Sequence, residues 1–114
     1  MTPLTDSSHV QMVFRALSDP TRRQILIHLS QNDMAIGEVC DHFDITRAAV
    51  KKHLKILEEG NLIYVHPNGR ERINRLQPKP MKLAFDWINF FEHFWDERLN
   101  KLQKILDQDI PSQN

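Results

Sequence analysis

The chain has one cysteine, Cys40, and only three glycines in 114 residues. A single thiol cannot close an internal disulfide, so the fold does not depend on an oxidising compartment. Three scattered glycines leave no glycine-rich loop to cradle a phosphate, and no nucleophile–base pair stands out. The carboxylate pairs Glu58-Glu59 and Asp96-Glu97 are sequence neighbours and cannot share one helix face. The chain therefore reads as a non-enzyme. No apolar run approaches the ~18 residues of a membrane span. The first residues, MTPLTDSSHVQ, lack the charged and apolar regions of a secretory signal. The expected compartment is the cytoplasm, with no membrane partner.

Net charge is absent too, with 15 Lys/Arg against 15 Asp/Glu. The average hides an asymmetry. From Arg47 to Lys82 there are nine Lys/Arg against Glu58, Glu59 and Glu71, a balance of +6. The remaining residues balance to −6. A basic middle on an acidic body is the pattern of a local phosphate-binding face.

At this length one domain, 1–114, is expected, with a single modest core. Val10, Val13, Phe14 and Leu17 recur at helical spacing and predict a first helix over about 9–17. Asp19 is placed to cap a second helix, about 20–30, whose first position suits Pro20. Ile36, Val39, Cys40 and Phe43 predict a third helix over about 36–43. Thr46 is a good N-cap for a fourth, 46–59, whose inward stripe is Val50, Leu54 and Leu57. Gly60 is expected to stop it.

Leu62 to His66 is rich in strand formers. Asn68-Gly69 is a strong hairpin-turn signal, because both residues tolerate positive φ. Arg70 to Leu76 alternates polar and apolar positions as a returning strand does. A long last helix, about 81–107, follows Pro78 and Pro80. Helix-turn-helix followed at once by a basic hairpin, 62–76, is a winged helix. The predicted fold is mainly α, with about five helices and a two-stranded wing.

The last helix carries more apolar surface than a small domain uses. Ile88, Phe91, Trp95, Leu99, Leu102 and Leu106 follow a 3–4 spacing, with Phe85, Trp87, Phe90 and Phe94 beside them. A helix of ~25 residues is ~38 Å long, about the length of the domain. Part of that face is expected to meet a second subunit. The aromatic residues 85–95 also admit reading as a pocket for an unidentified small-molecule effector, although dimer packing explains them more simply.

The run ALSDPTRRQILIHL, then IGEVCDHFDITRAAVKKHLKILEEGNLI, then a hairpin with NGRER, resembles the ArsR-type winged-helix repressors. The resemblance covers about residues 10–107. The tail FDWINFFEHFW is similar to a branch that senses no metal. The resemblance implies a homodimeric transcriptional repressor whose first and last helices form the dimer interface. Val10, Val13 and Phe14 of the first helix, and Ile88, Phe91, Trp95, Leu99 and Leu102 of the last, are the residues so implied.

Metal-sensing relatives carry a Cys-x-Cys pair leading into the third helix, where this chain has Ala35 and Gly37. Another branch places Asp-x-His and a later His-x-x-Glu/His on the last helix. Here Asp86 is followed by Ile88, and His93-x-x-Asp96 supplies half the pattern. Four ligands are not assembled. No metal and no cofactor are expected, and Cys40 reads as a small buried hydrophobe.

The expected partner is double-stranded DNA. Residues near the start of a recognition helix reach base edges, while lysines farther along meet phosphates. Arg47 is the candidate for reading guanine through its two-pronged donor geometry. Ala48 and Ala49 let the helix sit deep and offer methyl contacts to thymine. Thr46 both caps the helix and lies near phosphates. Lys51, Lys52 and Lys55 are phosphate or base-edge candidates. Arg70 and Arg72 flank the wing tip and are expected to enter the minor groove or touch its phosphates. Arg22 and Arg23 are read either as backbone contacts or as partners of a carboxylate at the core edge. His53 has two readings: a bridge from the recognition helix to its neighbours, and a phosphate contact.

Overall fold

The computed structural model describes residues 7–109. The first helix, α1, is Ser7–Leu17, and α2 is Pro20–Gln31. A two-residue strand β1, Met34–Ala35, leads into the short α3, Ile36–Cys40. Helix α4, Arg47–Glu59, precedes the hairpin of β2, Ile63–Asn68, and β3, Glu71–Leu76. Helices α5, Met81–Asn89, and α6, Glu92–Asp109, complete the order. The sheet is antiparallel in the order β1-β3-β2. No helix among the described residues is long and apolar enough to cross a membrane.

Polar caps set the helix starts. The Asp19 carboxylate accepts the Arg22 N–H at 3.0 Å, with Pro20 in the first turn of α2. The Thr46 hydroxyl accepts the Ala49 N–H at 3.1 Å and starts α4. Each bond satisfies a donor that the helix itself leaves unpaired. The core gathers Val13, Ile25, Val39, Val50, Leu57 and Leu62, all 1% exposed or less. It joins α1 to α4 with the base of the hairpin.

Four expectations are corrected. The sheet has a third strand, β1, fastened where buried Asn74 donates to the Met34 carbonyl at 3.0 Å. Two residues offer no period, so this strand left no signal in the sequence. The third helix ends at Cys40, not residue 43, because the N–H groups of His42 and Phe43 bond three residues back. Such bonds tighten the chain out of the α-helix.

The end of α4 is a Schellman motif. The N–H of Leu62 bonds the Leu57 carbonyl at 3.0 Å, and that of Asn61 bonds Glu58 at 2.9 Å. Gly60 caps the helix as expected, and Asn61 after it takes the left-handed conformation, with φ 59°. Asn68 pairs with Glu71 as a strand residue, so Gly69 and Arg70 form the loop. Of that pair only Gly69 has positive φ. This is the signature of a II′ turn, whose first central position is glycine.

The fourth correction concerns 81–107, which is two helices and brings the count among the described residues to six. The Phe91 N–H bonds Ile88, three residues back, and the Phe90 N–H is shared between Asp86 and Trp87. That tightened turn separates α5 from α6. Helix α5 lies against α1, where Phe14 meets Trp87 edge-on at 5.7 Å. Every described side chain of α6 is exposed. The radius of gyration is 18.9 Å, against about 13 Å for a compact chain of this length. The molecule is drawn out to 61 × 41 × 20 Å.

Candidate nucleic-acid interface

Helix α4 and the β2–β3 hairpin enclose an open groove of about 1260 Å³. The amphipathic pattern of α4 explains its placement. Val50, Leu54 and Leu57 bind it to the core, which turns Arg47, Lys51, Lys52 and Lys55 outward. The hairpin alternates as strands do, and Arg72 shares the groove face with Val65 and Asn74. Arg70 stands in the turn above them.

Seven of the expected DNA-contacting residues therefore meet on one surface: Arg47, Ala48, Lys51, Lys52, Lys55, Arg70 and Arg72. All seven are exposed. None of the six cations makes an ion pair with another described residue. Thr46 and Ala49 are occupied with each other at the helix start and do not line the groove. His53 is also outside it. Its Nδ1 lies 3.1 Å from an Arg22 Nη1 and 3.9 Å from the Asp19 carboxylate.

Arg22 and Arg23 satisfy neither sequence expectation completely. Arg23 donates to the Leu17 carbonyl at 2.7 Å. Buried Arg22 donates to Ala16 at 3.0 Å and Arg15 at 2.9 Å. Both arginines thus close the C-terminal carbonyls of α1, where the helix dipole favours cations. Burial raises the Asp19 pKa, but the Arg22 backbone N–H and the nearby His53 and Arg22 side chains outweigh it. The net effect holds the carboxyl below its ordinary 3.8.

Four carboxylates also line the groove: Glu58 and Glu71, which the charge balance already counted, and Glu38 and Asp41, which sequence reasoning passed over. Helical spacing carried a signal for Glu58, three residues beyond Lys55 on the same face. Glu38 is partly engaged, accepting the Ala35 N–H at 3.0 Å. The surface is thus six cations threaded with four anions. It suits a polyanion held in one register, because each carboxylate repels misplaced phosphate.

On the opposite side, Val10 and Val13 are buried within the chain itself, and Phe14 and Phe91 are half-buried. Ile88, Trp95, Leu99 and Leu102 are exposed, with Leu99 at 56%. Cys40 is a free, half-buried thiol packed at the core edge. Among the described residues, no three His, Cys, Asp or Glu side chains are gathered to hold a metal.

The model of the bacterial regulatory proteins of the arsR family matches residues 19–65. The chain is 37% identical over 79 residues to the transcriptional repressor SdpR of Bacillus subtilis, covering 68% of this chain and 88% of SdpR. An ArsR-like transcriptional regulator from Rhodococcus sp. RHA1 superposes with a TM-score of 0.69 at 28% identity. That match covers 88% of this chain and 94% of the other. A winged helix-turn-helix DNA-binding domain from Mycobacterium bovis, described as homodimeric, shares the fold with a TM-score of 0.60 at 23% identity. It covers 75% of this chain and 81% of its own. On its fold, its groove and these likenesses together, the chain belongs to the ArsR family of bacterial transcriptional regulators, built on a winged helix-turn-helix.

Proposed function

We propose that this protein is a transcriptional repressor that binds a palindromic operator as a homodimer. Helix α4 enters the major groove, and the β2–β3 wing lies along the adjacent backbone or minor groove. The observation that carries this reading is the groove between them, lined by six cations that form no ion pair with another described residue. Arg47, in the first turn of α4, reads guanine through a bidentate bond. Ala48 lets the helix approach closely. Lys51, Lys52 and Lys55 engage phosphates or base edges, and Arg70 and Arg72 engage the minor-groove side. Thr46 holds the start of α4 and contacts phosphate, with Ala49 beside it.

Residues 1–114 act as one winged-helix unit in the cytoplasm. The second subunit covers the exposed apolar side of α5 and α6, including Ile88, Trp95, Leu99 and Leu102, next to Phe14 and Phe91. The homodimeric description of the fold-sharing domain supports this arrangement. The protein belongs to a branch that senses no metal, since the positions of the thiolate pair hold Ala35 and Gly37. An effector, if the regulator uses one, is a small molecule.

Binding to random-sequence duplex DNA across a salt series tests the core of the reading. Neutralising phosphates releases counterions, so affinity must fall steeply as salt rises. Affinity that is flat with salt would leave a protein-docking module as the better description. Selection from a random library should enrich a two-fold symmetric site, with half-sites roughly 34–36 Å apart.

A further inference from the structure

We infer that the part-buried Arg22–His53 bond positions the recognition helix for base reading, which makes both positioning residues rather than DNA contacts. This rests on the DNA-binding reading above and adds a regulator of it.

Arg22 sits at a junction of three helices. Its backbone N–H is taken by Asp19 at the start of α2. Its Nε and one Nη close the α1 carbonyls of Ala16 and Arg15. The other Nη reaches His53, 31 residues away on α4, at 3.1 Å. The side chain is buried at 9% exposure, and that of His53 is 21% exposed. A guanidinium has only donors. In the neutral ring His53 Nδ1 therefore accepts, with the ring proton on Nε2.

The consequence is mechanical. A planar guanidinium bonded on three edges has little freedom to shift. The end of α1 and the middle of α4 are thus tied through one rigid fork. His53 lies one turn or less from Lys51, Lys52 and Lys55, which line the groove. Rotation of α4 about its axis would carry Arg47 out of register with a base edge. Phosphate contacts by long lysines tolerate such a shift, whereas bidentate base contacts do not. Breaking the bond should therefore cost discrimination more than affinity.

The test compares two duplexes, one enriched by the wild type from a random library and one of random sequence. His53→Leu should lower the ratio of the two affinities about tenfold, mainly through the enriched duplex. His53→Asn places an acceptor oxygen where Nδ1 lies and should keep that ratio within about threefold of wild type. His53→Gln places its acceptor elsewhere and should behave like His53→Leu. The Asn–Gln comparison decides the matter if His53→Leu does not fold. Adding Arg22→Lys to His53→Leu should cost little further discrimination, since both remove one link.

Three results would overturn the inference alone. One is wild-type discrimination in both His53→Leu and His53→Gln, whatever their melting temperatures. Another is equal loss on both duplexes, which marks a phosphate contact. The third is failure of His53→Asn to retain the ratio in a folded protein. A wild type that enriches no duplex at all overturns the DNA-binding reading as well.

Discussion

Gly60 stands against the backbone of α1: a Cβ at this position would lie 3.0 Å from the Met12 carbonyl oxygen and 3.3 Å from the Ala16 Cβ. The end of α4 approaches α1 this closely only because Gly60 has no side chain. Its φ of −81° is one that any residue adopts. The left-handed strain falls on Asn61 instead. Gly60→Ala is expected to destabilise by about 1–3 kcal/mol through overpacking. Asn61→Gly is expected to be neutral or stabilising by up to about 1 kcal/mol. Urea midpoints of the two variants check the pair. The reverse order would mean that α1 yields readily.

Arg47→Ala should relax sequence preference, whereas Lys55→Ala should weaken all duplexes by a similar factor. A bidentate arginine–guanine pair contributes roughly 1–3 kcal/mol of discrimination, and a phosphate contact changes mainly the salt slope. Competition binding on enriched and random duplexes reads both. An equal loss for Arg47→Ala on the two DNAs would remove it as a base reader.

Leu99→Asp and Leu102→Asp should shift the protein to monomer while leaving the winged-helix core folded. Both side chains are exposed within the single chain, so a charge there costs its own core little. In an apolar interface an unpaired charge costs several kcal/mol. Sedimentation equilibrium at micromolar concentration gives the answer. A wild type that is monomeric with and without DNA defeats the prediction at once.

Cys40→Ser should bind the enriched duplex as the wild type does, and low-micromolar zinc or arsenite should not release wild-type protein. A lone thiol lacks the closed coordination that makes soft-metal sites tight. Stoichiometric metal in purified protein, lost with regulated binding on this substitution, would overturn the assignment to a branch that senses no metal.

Asp19 should contribute to stability at neutral pH and cease to do so in acid. Its folded pKa lies below the ordinary 3.8. The contribution is therefore present above that value and is lost as pH falls through the folded pKa. Asn also caps helices well. The gap between wild type and Asp19→Asn should thus be steady near pH 6 and narrow from about pH 4 downward. Thermal melts across that range measure it, and a gap independent of pH would show that the charge is immaterial.

The sequence made the caps, the core stripe of α4 and the basic groove legible. Asp19, Thr46 and the 3–4 spacing of Val50, Leu54 and Leu57 act through local geometry that residue types fix directly. What it concealed depends on contacts across the fold. Gly60 was legible as the stop of α4, but the room its missing side chain makes for Met12, 48 positions earlier in the chain, was not. Arg22 reads as a DNA-backbone contact or a partner of a core-edge carboxylate, but its side chain bonds the Ala16 and Arg15 carbonyls and reaches His53 on α4. The break at Phe90–Phe91 has neither proline nor glycine to announce it. The strand β1 is defined by its pairing with Ile73 and Asn74 of β3, far along the chain.

A helix whose described side chains are all exposed within its own chain has consequences for dosage. An 18-residue segment such as α6 is only marginally helical alone in water. Its order must come from whatever covers it. If the cover is a second copy, mass action couples the helix content of α6 to protein abundance. Operator occupancy at low abundance would then rise with the square of monomer concentration. A twofold change in synthesis would give nearly a fourfold change in occupancy, sharpening the switch without any ligand.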